Sequence, residues 1–412
     1  MNIALKHRAE HEPAPAFLPY GRQVIEEDDI AAVAQALRGE LLTTGPYVDR
    51  FERALAGAVG ARYAVVCANG TAALHMAARV LGLGPGTRIV VPSITFLATA
   101  SAPHLNGAEI VFADVDSATG LMGPEHLAAA IQRAGRIDAV FNVHLNGQCG
   151  AVEEIAKIAR EHGAKLVDDA CHALGTGHVD SAGNVRPVGS NAFSDLSVFS
   201  FHPVKAIAMG EGGAVTANDP AIARRLQLAR NHGMTRDVAE FKHLIDALDG
   251  EGEANPWYYE LIQPEFNCRA TDIQCALGLS QLGKLPRFVT RRRVLAAHYD
   301  TLLLSLSPMV RPLGRVRSCL PAWHLYVARV DFQAAGTSRA SLMRKLASDG
   351  IGTQVHYFPV HRQPYYWRRY GEIVLPGAEA YYAKALTLPL FPSMSESDVE
   401  RVVAALKRHL GL

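Results

Sequence analysis
Between about residues 60 and 220, short β-branched runs alternate with amphipathic stretches, and this alternation constrains the chain more than any other feature. Ala64–Cys67, Ile89–Val91, Ile110–Ala113, Ala139–Val143, Lys165–Val167, Leu196–Phe201 and Gly213–Thr216 read as strands. Between them, Ala72–Leu83, Pro124–Ala134 and Glu153–His162 read as helices. The strands lack polar alternation, so both faces of their sheet must be covered, and the helices are there to cover them. This predicts an α/β domain, in which ligands gather beyond the carboxyl ends of the strands.

The rest of the chain reads differently. Asp246–Ala254 is charged and glycine-bearing and reads as a loop; Thr271–Leu285 is helical and leads into a second long helix that carries Arg291-Arg292-Arg293. From about Pro286 the composition changes, with strands expected at His324–Asp331 and Gly352–Tyr357 and helices at Ser338–Ser348 and Ser395–His409. That pattern predicts a smaller α+β domain. The division is an N-terminal arm (1–19), a large ligand-binding domain (20–290) and a small C-terminal domain (291–412). Met1 to Ala16 has no apolar core of the kind a secretory signal needs. A net charge of +1 points to neither nucleic acid nor a membrane surface. The arginine triplet reads as the solvated face of a helix, with a phosphate patch as the alternative. Six scattered cysteines lack metal spacing and suit a reducing cytoplasm.

Functional residues collect at the predicted strand ends. Ser200-Phe201-His202-Pro203-Val204-Lys205 closes an apolar run and leads to Gly210-Glu211-Gly212-Gly213. Burial disfavours an ammonium ion and lowers its pKa, which a Schiff-base lysine requires. Asn69-Gly70-Thr71 places a glycine turn and a hydroxyl before a helix, which describes a phosphate cradle and equally a plain N-cap turn. Phe96 can stack on a planar ring or fill a core. Asp169, at the end of its strand, needs a cationic partner if buried, and a protonated pyridine nitrogen would be one. Cys171 beside His172 also admits a thiol nucleophile, the lesser reading. Phosphate cradle, stacking aromatic, carboxylate and imine-forming lysine are together the parts that pyridoxal phosphate needs.

Those stretches, with Asp169-Ala170-Cys171-His172-Ala173-Leu174-Gly175, Asn267-Cys268-Arg269-Ala270-Thr271-Asp272-Ile273-Gln274 and Gln354-Val355-His356-Tyr357-Phe358-Pro359-Val360, resemble the nucleotide-sugar aminotransferases of the DegT/StrS type. The resemblance runs from Leu42-Thr43-Thr44-Gly45-Pro46 to Leu388-Pro389 and is nearest to PseC-type enzymes, on Cys171–Gly175 and Gln354–Tyr357. It implies the type I fold of pyridoxal-phosphate-dependent transferases, like aspartate aminotransferase, with a large mixed-sheet domain carrying helices on both faces. It also implies a homodimer with an active site shared across the interface. By position, Lys205 carries the cofactor as a Schiff base and Asp169 pairs with the pyridine nitrogen. Gly70, Thr71 and Ser200 hold the phosphate, Phe96 stacks on the ring and His172 sits near its phenolic oxygen. Asn267 reaches the phosphate in the neighbouring subunit and Arg269 holds an anionic substrate group. Thr44, His324, His356 and Tyr357 are candidates for sugar-nucleotide contacts, with structural roles as the alternative. Many relatives carry Trp or Tyr at the position of Phe96.

The reaction so implied moves an amino group from L-glutamate to C4 of a UDP-linked 4-keto-6-deoxy-N-acetylhexosamine, on the route to pseudaminic acid, with pyridoxamine phosphate as the intermediate form of the cofactor. The alternatives are C4 or C3 amination of a dTDP- or GDP-linked ketosugar, and a pyridoxal-phosphate-binding regulator without turnover. A sugar dehydratase of the same fold would lack the lysine, so Lys205 argues against it.

Overall fold
A computed structural model describes residues 16–412. Seven strands form the central sheet, in the order Tyr63–Cys67, Gly213–Ala217, Leu196–Ser200, Lys165–Asp169, Ala139–Val143, Arg88–Pro92 and Glu109–Ala113. Gly213–Ala217 runs antiparallel to both neighbours, and every other pairing is parallel. The sheet is therefore mixed, as expected, and each predicted run becomes one of its strands with ends shifted by at most two residues. Burial explains why the period-2 signal is missing. Val65 and Val91 enter one apolar cluster, whereas their neighbours Val66 and Val90 enter two others on the opposite side. Helices such as Gly70–Val80 and Val152–Glu161 supply the covering layers. The fold is the type I transferase fold.

A second core is built by Leu295, Tyr299, Val310, Tyr326, Leu342, Leu346, Val402 and Leu406. It carries a three-stranded antiparallel sheet, Val310–Pro312, Tyr326–Val330 and Ala385–Leu388. Of the expected N-terminal arm, residues 1–15 lie outside the described residues. Leu18 is buried in this second core, its N–H donating to Gly350 O at 2.8 Å.

Three expectations need correction. Thr271–Leu285 and the helix after it are one helix, Asp272–Leu303. Thr271 Oγ1 caps it by accepting from Gln274 N at 3.2 Å, and Gln274 Oε1 in turn accepts from Thr271 N at 2.8 Å. Pro286 does not end the helix, because Leu282, Leu285, Phe288, Val289, Arg292 and Leu295 continue one buried face across it. Gly352–Tyr357 is not a strand: Gln354 alone bridges Thr387, while Gly352 packs against Phe17 and Pro19. The arginine triplet is a solvated face only in part: Arg293 is exposed, Arg291 is half-buried and Arg292 is buried. Arg291 donates to Met394 O at 2.7 Å and Arg293 to Pro321 O at 2.7 Å. Arg292, 1% exposed, donates to His324 O at 3.0 Å and Leu390 O at 2.9 Å, tying the long helix to two other segments. Burial lowers its pKa to about 10.

Replacing Arg292 with Ala leaves those buried carbonyls without their donor and opens a cavity. Denaturant unfolding of Arg292→Ala should show a loss of about 3 kcal/mol. A loss below about 1 kcal/mol would mean that water replaces the guanidinium at no cost.

Candidate active site
The carboxyl ends of the central strands meet around a cleft of about 700 Å³. Register brings them together: Gly213 lies opposite Cys67 on one side and Ser200 on the other, and Asp169 lies opposite Val198. The turn Asn69-Gly70 is wedged between these ends. A Cβ on Gly213 would sit 2.3 Å from Asn69 O, and one on Gly70 would sit 2.9 Å from Ser200 Cβ. Asn69 Oδ1 accepts from Ala72 N at 2.8 Å and starts the helix. Gly70, Thr71 and Ser200 thus line one corner, where first-turn amides and two hydroxyls converge.

Asp169 lines the cleft 6% exposed. Its Oδ2 accepts from Thr99 Oγ1 at 2.6 Å and its Oδ1 from Cys171 N at 3.2 Å. Its neighbour Asp168 lies 3.3 Å from buried His144 Nε2. Burial opposes the charge on His144, but the Asp168 carboxylate outweighs it and raises the imidazole's pKa. Lys205 follows Ser200 in a turn in which Met209 N donates to Phe201 O at 2.9 Å. Its side chain is partly open to the cleft, yet desolvation lowers its pKa against the pull of Cys171 and Asp169. A lysine so placed offers a nucleophilic amine. Burial, and then Asp169, push the Cys171 thiol far up, which argues against the nucleophile reading of that residue.

His172, His324, His356 and Tyr357 form another wall. The His172 and His324 rings lie 4.5 Å apart. Burial first, and then the Lys205 charge, hold both imidazoles well below their ordinary pKa and lower that of His356 to about 3. His172 is therefore neutral, and because Asn146 N–H donates to its Nδ1 at 3.3 Å, its proton sits on Nε2. Nε2 lies 3.1 Å from Tyr357 Oη and donates to it. The Tyr357 hydroxyl, its pKa raised well above 10.0 by burial and then by Asp169, keeps its own proton to give. His356 Nδ1 meets Thr387 Oγ1 at 2.8 Å.

Phe96, 52% exposed, also lines the cleft. The structure thus brings together Gly70, Thr71, Phe96, Asp169, His172, Ser200, Lys205, His324, His356 and Tyr357. It does not bring in Thr44, Asn267 or Arg269. Thr44 is exposed, held beside the start of the long helix by the Thr43–Thr271 bridge and by Gly45 N donating to Asp272 Oδ2 at 2.7 Å. Asn267 is exposed, and Arg269 donates to Asn231 Oδ1. Sequence reasoning missed Thr95, Thr99, Tyr20 and Gln354 as cleft residues. Thr95 and Thr99 sit at an i, i+4 spacing that could have suggested a pair; Gln354 stands in a stretch that carries the resemblance but was given no role, and nothing in the sequence marks Tyr20.

The chain matches the DegT/DnrJ/EryC1/StrS aminotransferase family over residues 23–407. It belongs to that family. It is 36% identical to the spore coat polysaccharide biosynthesis protein SpsC of Bacillus subtilis over 398 residues, 95% of this chain and 96% of that one. The fold is similar to Helicobacter pylori PseC, an aminotransferase involved in the biosynthesis of pseudoaminic acid, with a TM-score of 0.85, 27% identity and coverage of 96% and 99% of the two chains. It is also similar to the PLP form of the sugar aminotransferase Spr1654 of Streptococcus pneumoniae, with a TM-score of 0.83, 26% identity and coverage of 96% and 99%. Aminotransferases of this family use pyridoxal phosphate. The cleft fits that group: a corner that admits no Cβ at Gly70, a buried carboxylate, and a desolvated lysine amine.

The neutral histidines make stability depend on pH. For His356, the unfolded chain binds a proton that the folded chain refuses between its ordinary value of 6.5 and about 3. Stability is therefore lost as pH falls through that window, with His172 and His324 acting in the same direction. Melting temperature should drop between about pH 7 and pH 4, and His356→Asn should flatten the slope. An unchanged slope would show that His356 takes up its proton without unfolding.

Proposed function
We propose that the protein transfers an amino group from L-glutamate to a nucleotide-linked ketosugar, with pyridoxal phosphate bound through Lys205. One observation carries the reading: a desolvated lysine amine and a buried carboxylate face the same cleft, beside a corner lined by Gly70, Thr71 and Ser200. When bound, the cofactor supplies an aldehyde that takes up the amino group and a ring that accepts electrons from a broken C–H bond. Lys205 would hold it through its desolvated side-chain amine. When free, the same Lys205 amine would carry the proton at the donor's Cα. Asp169 keeps a proton on the ring nitrogen, and Phe96 covers the ring face. Gly70, Thr71 and Ser200 hold the phosphate. Tyr357, held by His172, turns its hydroxyl proton toward the cleft, and His324 and His356 complete the substrate wall.

Lys205 is the sole ammonium or guanidinium group lining the cleft among the described residues. A nucleotide diphosphate needs more positive charge than that. We take it to come from a second copy of the chain, with Asn267 and Arg269 reaching across the interface and Thr44 beside them. Exposed Phe266 (68%) adjoins Asn267 in the chain, and Leu261 (60%) and Trp257 (72%), within ten residues of it, are exposed apolar side chains for such a contact. The likeness to PseC supports a UDP-linked 4-keto-6-deoxy-N-acetylhexosamine aminated at C4. The higher identity to SpsC favours a second reading, another ketosugar destined for a polysaccharide. Free cysteines suit work in the cytoplasm.

Incubation with L-glutamate and a panel of UDP-, dTDP- and GDP-4-keto-6-deoxy sugars, followed by mass spectrometry, should show one sugar gaining an amine. Lys205→Ala should abolish turnover, and Asp169→Ala should lower it at least about a thousandfold. Near-normal rates in either variant would remove these assignments, and an unaminated panel would remove the substrate class.

A further inference from the structure
Asp169 is the end of a hydroxyl chain. Thr99 Oγ1 lies 2.6 Å from Asp169 Oδ2 and 2.7 Å from Thr95 Oγ1, and the two threonines are 0% and 2% exposed. A carboxylate can only accept, so the Thr99 proton points at Asp169 and the Thr95 hydroxyl is left to donate to Thr99. The same five residues hold the ring-facing aromatic: Thr99 N donates to Phe96 O at 3.2 Å. One short turn therefore carries Phe96 and also supplies the hydroxyl that Asp169 accepts from.

We propose that Thr99, oriented by Thr95, is a positioning residue that holds the Asp169 carboxylate charged and aimed at the ring nitrogen of the cofactor. This rests on the pyridoxal phosphate reading above. A hydrogen bond donated to a carboxylate favours its charged form. Without it, the proton shared between Asp169 and the ring nitrogen moves toward the carboxylate, and the ring loses positive charge. A less positive ring withdraws less from the nitrogen of Lys205, so the visible absorbance of the lysine-bound cofactor should titrate at higher pH.

Thr99→Val keeps the shape and removes the hydroxyl; Thr99→Ser keeps the hydroxyl and removes a methyl. In protein reconstituted with pyridoxal phosphate, Thr99→Val should raise the pH midpoint of the visible band by about half a pH unit or more. Its rate of band loss at saturating L-glutamate should fall about tenfold, with the half-saturating concentration within about threefold of wild type. Thr99→Ser should restore both midpoint and rate. An unmoved midpoint in Thr99→Val, or a Thr99→Ser that behaves like it, overturns the inference. If Thr99→Val does not fold, Thr95→Val should show a smaller shift in the same direction, and an unmoved midpoint there is equally fatal. A wild-type protein that develops no visible band would instead remove the pyridoxal phosphate reading itself.

Discussion
The site depends on one close approach. Gly213 faces Cys67 and Ser200 across two strand pairings, and the Asn69–Gly70 turn fills the space that a side chain on Gly213 would need. That contact brings the amide-rich helix start against the ends of the strands that deliver Ser200 and, through the next strand, Asp169. The antiparallel placement of Gly213–Ala217 makes this possible, because its first residue then meets the last residues of its neighbours. Sheet register sets the distance between cradle and carboxylate, and the turn after Ser200 carries the lysine to them.

Around this frame the protein arranges charge by exclusion. Three imidazoles and a phenol surround Lys205, and burial keeps them neutral, so the lysine's own charge has few partners. Asp169 is the acid whose position is fixed by a hydroxyl and an amide, while the adjacent Asp168 is occupied by His144. Two successive carboxylates on one strand point to opposite faces and so take different partners.

Much of this was legible in the sequence because the central strands are buried on both faces and need continuous apolar runs. Ala139–Val143 even keeps its predicted bounds. Ser200, Lys205, Asp169 and Gly70 were legible as cleft residues for the same reason, since each ends such a run or follows it within about five residues. What was hidden depends on tertiary contacts. Pro286 reads as a helix break, but the buried face runs past it. Arg292 reads as solvated, but its guanidinium finds backbone carbonyls in segments about 30 and 100 residues away. Gly352–Tyr357 has strand composition, but its residues from Gln354 to Tyr357 line the cleft instead. Thr99 carries only its i, i+4 spacing to Thr95 as a local signal, because the carboxylate it bonds lies 70 residues on.

The central claim is that the amine of residue 205 is what binds the cofactor. Protein loaded with pyridoxal phosphate, reduced with borohydride, digested and analysed by mass spectrometry tests it most directly. A pyridoxyl phosphate adduct is expected on the peptide containing Lys205 and on no other. An unmodified Lys205, or an adduct on a different lysine, would contradict it.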